Sequence, residues 1–260
     1  MQLSLNQIAI MCNGVLTDGS NGALIVNHVA IDSHELEQGS LFIAIIGHTN
    51  DGHKFVHESL QNGAVGAIVN QSSKLALPNL IIVEDTTIAI GLFAKNYRDM
   101  FDISVVAITG SNGKTTIKEM LKRICEIEYG VDYVLASRGS FNNHWGMPLS
   151  LLQLNTKHKV AILEMGMNHH GELDYLSKIA KPTIAVVNNV LMSHAGFFKD
   201  LSDIAYAKGE IYNGLTDNGT ALINKSVQFA DIWQDQLKHQ NCRIIEYGTL
   251  DTTCYLKECM

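Results

Sequence analysis

Apolar positions along this chain fall into two regimes. Up to about residue 83, short apolar runs alternate with polar turns: Leu41-Phe42-Ile43-Ala44-Ile45, Ala64 to Val69 and Leu80 to Val83 read as buried strands. Phe55, Val56 and Leu60 place a helix between Gly52 and Asn62, and Ser4 with Gln7 makes a capping-box pattern ahead of Leu5, Ile8 and Ala9. From Asp85-Thr86 the pattern lengthens. A helix carrying Ile88, Leu92, Phe93 and Tyr97 leads to a strand over 103–108, a helix over 114–128 (Ile117, Met120, Leu121, Ile124), a strand near Tyr133 to Ala136 and a helix near Pro148 to Leu154. Then follow the strand Val160 to Glu164, a helix from Gly171 to Ile179, the strand Thr183 to Val187, a helix from Leu201 to Tyr212, and strands at Thr220 to Ile223 and Ile244 to Tyr247. Such alternation predicts an α/β chain in two parts: a small N-terminal α/β domain over 1–83, and over 84–260 a mostly parallel sheet with helices on both faces.

The second part holds the strongest local signal. Val105-Val106-Ala107-Ile108 feeds Thr109-Gly110-Ser111-Asn112-Gly113-Lys114-Thr115-Thr116, and Lys114 opens the next helix. Strand, glycine turn and helix N-terminus together form a phosphate loop, whose inward N–H groups and helix dipole suit phosphate oxygens. Full-length loops of this type have a glycine where Ile108 stands, so this is a shortened form, Gly-x-x-Gly-Lys-Thr. Lys114 is expected to reach the β- and γ-phosphates, and the Thr115 hydroxyl the accompanying Mg²⁺.

Ligands of parallel sheets bind beyond the carboxyl ends of the strands. Two strands end there in reactive residues: Val160 to Glu164, and Thr183 to Val187, which runs into Asn188-Asn189 with His194 a few residues on. A carboxylate and an imidazole beside a phosphate loop suit Mg²⁺ coordination, although either alone reads equally as a strand end or a loop residue. Lys208 in a helix reads, on pattern alone, as a solvated face. In Phe141-Asn142-Asn143-His144-Trp145-Gly146-Met147-Pro148 the two amides read as turn punctuation or as groups orienting a substrate. Asp32-Ser33-His34 reads as a polar turn.

Composition narrows the class. The 260 residues are 46% hydrophobic and 17% charged, which is ordinary for a soluble globular protein and enough for about two domain cores. A net charge of −7 without a basic stripe argues against a nucleic-acid partner. Five cysteines, odd in number and without a Cys-x-x-Cys pair, suggest neither a disulfide framework nor a zinc site. With no basic leader and no apolar run near the roughly 18 residues that span a bilayer, the expected location is the cytoplasm.

Taken in order, these stretches resemble the ATP-dependent Mur ligases of peptidoglycan synthesis, and among them the members that join D-alanyl-D-alanine to UDP-N-acetylmuramoyl-tripeptide. The resemblance is carried by Thr109 to Thr116 with Lys118-Glu119-Met120; by Phe141-Asn142-Asn143 with Gly146 and Pro148; by Glu164-Met165-Gly166-Met167-Asn168-His169; by Asn188 to His194; and by Ala207-Lys208-Gly209-Glu210-Ile211. Asp32-Ser33 and Asp51-Gly52-His53-Lys54-Phe55 extend it into the first domain.

It implies that ATP phosphorylates the terminal carboxylate of the UDP-linked peptide and that an amine then displaces phosphate from the acyl phosphate. It also implies site roles. Thr109, Gly110, Ser111, Asn112, Gly113, Lys114, Thr115, Thr116 and Asn143 hold the nucleotide; Thr115 and Glu164 hold one Mg²⁺ and His194 a second. Lys208 matches the lysine that the family carbamylates, which joins it to the metal site. Lys114, Lys208, His194 and Glu164 are then catalytic, and Ser33 and Asn142 contact the substrate, with the UDP group in the first domain.

Departures are His34 where the family has Arg, Ala195-Gly196 after His194, and Lys225-Ser226-Val227 after Asn224. Family members continue into a third domain. The resemblance therefore implies an N-terminal domain and most of a central one, with an uncovered sheet edge that predicts self-association. Two other readings stand beside ligase activity: a Mg-ATP or UDP-sugar-peptide binding module that does not complete the bond, and a related Mur or folate ligase with another amine.

Overall fold

The computed structural model describes every residue except His48, Ser140, 193–196, 251–252 and Met260, with side chains through residue 248. Two compact units emerge, Met1–Met100 with Leu151–Asn155, and Phe101–Ser150 with Thr156–Met260.

In the first unit, β1 (Leu3–Ser4), α1 (Leu5–Met11), β2 (Val15–Leu16), β3 (Ile25–Val26), β4 (His28–Ala30), β5 (Ser40–Ile43), α2 (Val56–Gln61), β6 (Ala64–Asn70), β7 (Leu80–Val83) and α3 (Thr86–Arg98) follow in order. Strands β4, β5, β6 and β7 pair in parallel, and β2 closes the β7 edge antiparallel. The capping box forms as expected: the Ser4 hydroxyl accepts from Gln7 N at 3.3 Å while Ser4 N donates to Gln7 Oε1 at 2.9 Å. Strands β1 to β4 escape a sequence reading because two or three residues carry no periodicity.

The boundary falls after Met100 rather than at residue 83, because α3 packs back on the unit it follows. Its Ala89, Ile90, Phe93 and Ala94 are buried. Thr86 donates from its N–H to Asn70 Oδ1 at 2.8 Å and from its hydroxyl to Ala44 O at 2.9 Å, and Asn96 donates to Met11 O at 2.7 Å.

In the second unit, β8 (Ser104–Thr109), α4 (Lys114–Tyr129), β9 (Val134–Ala136), α5 (Gly146–Leu151), β10 (Val160–Glu164), α6 (Glu172–Ala180), β11 (Ile184–Val187), α7 (Leu201–Gly209), β12 (Thr220–Asn224), α8 (Ala230–Leu237), β13 (Arg243–Leu250) and β14 (Thr253–Cys259) follow. They build one sheet in the order β14-β13-β12-β11-β8-β10-β9. Its pairs are parallel from β9 through β13, and β14 returns antiparallel on β13.

The chain leaves β8 for the edge, returns on one side as β10, then crosses to the other side as β11. This order reversal puts the crevice beside β8. Register aligns the strand ends: Glu164 pairs with Ile108, and Val187 with Thr109. Val105 to Thr109 and Val160 to Glu164 are wholly buried, as strands covered on both faces require.

Helix α4 covers Val106, Ile108, Val134, Val160 and Ile162 with Ile117, Leu121 and Cys125. Two residues of the expected apolar face, Met120 and Ile124, are instead 63% and 62% exposed. The inward face turns toward Lys118, which is fully buried, and a hydrophobicity pattern counts a lysine as outward. Helix α7 ends at Gly209, where a 3₁₀ turn over Glu210–Gly214 replaces the last turn expected as far as Tyr212. Among the described residues no helix is long and apolar enough to cross a membrane.

Candidate functional site

The loop between β8 and α4 takes its shape from two glycines. Gly110 (φ 152°) and Gly113 (φ 78°) lie in the left-handed half of backbone space, where a side chain is strained. A Cβ on Gly110 would also meet Asn188 Cβ at 3.0 Å. Gly113 stands at the N-cap of α4 and offers no side chain to it, so the first N–H groups of a sixteen-residue helix face the loop uncapped.

A strap of amides from the end of β11 holds the loop. Ser111 N and Asn112 N donate to the backbone and side-chain oxygens of Asn189 at 3.1 and 2.9 Å. The side chains of Asn188 and Asn189 both donate to Asn112 O at 2.9 and 3.0 Å. Ser111 Oγ donates to Leu191 O at 3.0 Å and accepts from Leu191 N at 2.9 Å. Asn224 of β12 in turn donates to Asn188 O at 3.0 Å. Sequence reasoning placed Asn188 and Asn189 at a strand end without this role, since nothing local says which loop a strand end will meet.

Glu164 is 2% exposed, and both its oxygens are occupied: Thr115 Oγ1 donates to Oε2 at 2.8 Å and Asn142 Nδ2 to Oε1 at 2.9 Å. Its backbone N–H donates to Ser137 Oγ at 3.2 Å. The reading of Glu164 as a solvated strand end is therefore excluded, and Asn142 orients a carboxylate of the protein. Asn143 serves the turn, with Oδ1 accepting from Gly146 N at 2.7 Å at the start of α5.

Lys114 curls over the loop, its Nζ donating to Gly110 O at 2.8 Å and to Ser111 O at 3.4 Å. Burial lowers its pKa, and the Glu164 carboxylate pulls the other way. Thr109 is fully buried, and its hydroxyl has no hydrogen-bond partner within the described protein. Thr116 is exposed on the first turn of α4.

Lys208 is 3% exposed, which corrects its reading as a solvated face. Burial first, and the positive charge of Lys114 second, bring its pKa down to about 7 from the ordinary 10.5. Between those values the unfolded chain holds a proton that the folded chain has released, so this group makes stability rise with pH. Its penalty is complete below pH 7 and gone above the ordinary lysine range. Lys208→Met is therefore expected to gain stability over the wild type most below pH 7, with the gain shrinking toward pH 10. Urea unfolding of both chains across that range checks it, and a pH-independent difference would contradict the burial of an ionisable amine.

Just beyond Lys208, the buried Glu210 accepts from Gly171 N at 2.9 Å on each oxygen, tying the end of α7 to the start of α6. His194 lies outside the described residues. Ser33 begins a 3₁₀ turn over Ser33–Glu35 in the first unit, capped by Asp32, whose carboxylate accepts from His34 N at 2.9 Å. Among the described residues no group of three or more His, Cys, Asp or Glu is placed to hold a metal ion.

One residue that sequence reasoning passed over is Lys118. It stands within the motif, yet only the fold shows that its side chain points inward to Ser137 and Gly139.

Residues 108–258, more than half of the chain, match the Mur ligase middle domain. The chain belongs to the Mur ligase family. Residues 25–98 match a second Mur ligase segment, described as the family's catalytic domain. The UDP-N-acetylmuramoyl-tripeptide–D-alanyl-D-alanine ligase of Haemophilus influenzae is 38% identical over 241 residues, covering 92% of this chain and 52% of that protein.

Among solved structures, MurF from Acinetobacter baumannii superposes with a TM-score of 0.87 at 30% identity, over 95% of this chain and 55% of that one. MurF ligase from Thermotoga maritima in complex with ADP does so at 0.74 and 25% identity, over 90% and 58%. This Mur ligase chain thus spans about half the length of the curated relatives it matches. Its family match takes in the glycine loop, Glu164 and Lys208 together.

Proposed function

We propose that this chain carries the substrate-binding and nucleotide-binding parts of an ATP-dependent ligase that adds D-alanyl-D-alanine to UDP-N-acetylmuramoyl-tripeptide in the cytoplasm. The observation that supports it most is the buried Glu164 carboxylate held against Thr115 at the mouth of a glycine loop. The names of the relatives supply the substrates.

The residues present fit Mg-ATP. Glu164 and Thr115 offer hard oxygen donors to a small cation, and the orphaned Thr109 hydroxyl and the uncapped helix N-terminus lie at the base of the loop. When bound, Mg²⁺ supplies charge neutralisation to the transferred phosphoryl group. Lys114 exchanges its loop carbonyls for phosphate oxygens and steadies the charge that moves to the leaving group. The Asn188–Asn189 strap, which takes up the Ser111 and Asn112 N–H groups, fixes the course of the loop and leaves the first N–H groups of α4 to face those oxygens.

Lys208, whose pKa burial brings down to about 7, is the amine that would take up CO₂, its nitrogen bonding the carbon with release of a proton; the resulting carbamate and His194 would be the groups to hold a second metal. Unit 1 receives the UDP group, with Ser33 at the contact. Self-association belongs to the same reading.

Phosphate release by the 260-residue chain with Mg²⁺ tests the proposal in three arms: ATP alone, ATP with UDP-N-acetylmuramoyl-tripeptide, and both with D-alanyl-D-alanine. Release that needs the third component supports a ligase. Nucleotide binding without release in any arm would leave a binding unit that lacks the bond-forming chemistry.

A further inference from the structure

We infer that Lys118 is a positioning residue for the metal carboxylate Glu164, acting through the loop that leaves β9. The inference rests on the reading of Glu164 and Thr115 as the cation site.

Lys118 is fully buried on the inward face of α4, one turn beyond Lys114. Its ammonium donates to Ser137 O at 2.8 Å and to Gly139 O at 3.4 Å, and pairs with the Glu119 carboxylate at 3.0 Å. Ser137 O and Gly139 O are backbone carbonyls of the segment between β9 and α5, whose Ser137 N–H donates to Ile162 O of β10 at 3.0 Å. A charged donor makes roughly twice as strong a bond as a neutral one, so Lys118 is the tie that fixes this segment to the helix of the phosphate loop.

That segment grips Glu164 at two points. Ser137 Oγ accepts from Glu164 N at 3.2 Å, and Asn142 Nδ2 donates to Glu164 Oε1 at 2.9 Å. Farther along, Gly166 N donates to Asn142 O at 2.8 Å, which closes the loop onto the end of β10. With Oε1 held by Asn142, Oε2 is left toward Thr115 on the first turn of α4.

Lys118 and Thr115 thus stand on one helix and act on one carboxylate from two directions, the hydroxyl directly and the ammonium through the loop that carries Ser137 and Asn142. Burying a lysine costs free energy that an apolar residue at this site would not. A purely structural core position has no need of it.

The expected signature is a loss of cation binding without a loss of nucleotide binding. ATP affinity is measured by calorimetric titration with excess Mg²⁺ and again with EDTA, for the wild type, Lys118→Met, Lys118→Arg and Asn142→Ala. Removing a group that orients a metal ligand costs about 10–100-fold in metal affinity. Lys118→Met and Asn142→Ala should therefore lose most of the Mg²⁺-dependent gain in ATP affinity while keeping the EDTA value, and Lys118→Arg should recover part of it.

Equal weakening in both buffers, or an undiminished Mg²⁺ gain in Lys118→Met, overturns the inference and leaves the proposed function standing. Should Lys118→Met not fold, an unchanged Mg²⁺ gain in Asn142→Ala overturns it in the same way. A wild type that binds no ATP in either buffer removes the proposed function, and this inference with it.

Discussion

Lys114→Ala is expected to remove phosphate release altogether at ordinary enzyme concentrations. Loss of one preorganised charge at a reacting group costs about 10²–10³-fold in turnover. Here the loss is compounded, because Lys114 is the cation whose field opposes Glu164. Without it, the only protein groups on the buried Glu164 among the described residues are Thr115, Asn142 and, at its backbone, Ser137, none of them a cation. On the proposed reading the ammonium meets phosphate in the ground state as well, so ATP affinity in EDTA should fall with turnover.

A second consequence separates Lys114 from a merely structural residue. Its charge is one of the two causes holding the Lys208 pKa near 7. In Lys114→Ala that pKa should move up toward the ordinary lysine range, by less than the full depression because burial remains the larger cause. The pH dependence of the stability difference between Lys208-containing and Lys208→Met chains, each in the Lys114→Ala background, reads this shift. No shift would mean that the two ammonium groups do not share a site.

Trp233→Ala should cost the second unit about 3–5 kcal/mol of unfolding free energy, the range for deleting a buried aromatic side chain. Trp233 has no exposed surface, and its indole N–H donates to Ala205 O at 2.8 Å, joining α8 to α7. Truncation opens a cavity and also leaves the Ala205 carbonyl without its indole donor, a further penalty of about 1–3 kcal/mol where water cannot enter. Ala205 lies three residues before Lys208 on α7, so the variant should also let solvent reach that amine and bring its titration closer to that of an exposed lysine. Urea unfolding gives the stability and the Lys208 pH profile gives the second effect. A midpoint like the wild type's would contradict the packing of α8 on α7.

Helix α8 was open to a sequence reading, because Ala230, Trp233 and Leu237 are apolar at helical spacing and all three are buried. It goes unnoticed among Asp231, Gln234, Asp235 and Gln236, which make the stretch look polar. The tail is a different case. Strand β14 pairs with β13 from Ile244 opposite Cys259 to Leu250 opposite Thr253, and nothing in Cys254 to Cys259 by itself names that partner.

The sequence alone determined what acts over a few residues. Glycines at 110 and 113 allow a turn that other residues resist, Ser4 and Gln7 cap a helix, and runs such as Val160 to Leu163, short and apolar throughout, favour a buried strand. Those local preferences sufficed for the α/β alternation and for the glycine turn that opens α4. The tertiary structure decided everything that depends on which distant segment arrives alongside. Register sets Glu164 beside the loop, the Asn188–Asn189 strap meets Asn112, and the sheet buries Lys118 and Lys208, two lysines that a pattern counts as surface. Burial and pairing are non-local free energies, and a lysine's cost or use inside a fold exists only once its neighbours are in place.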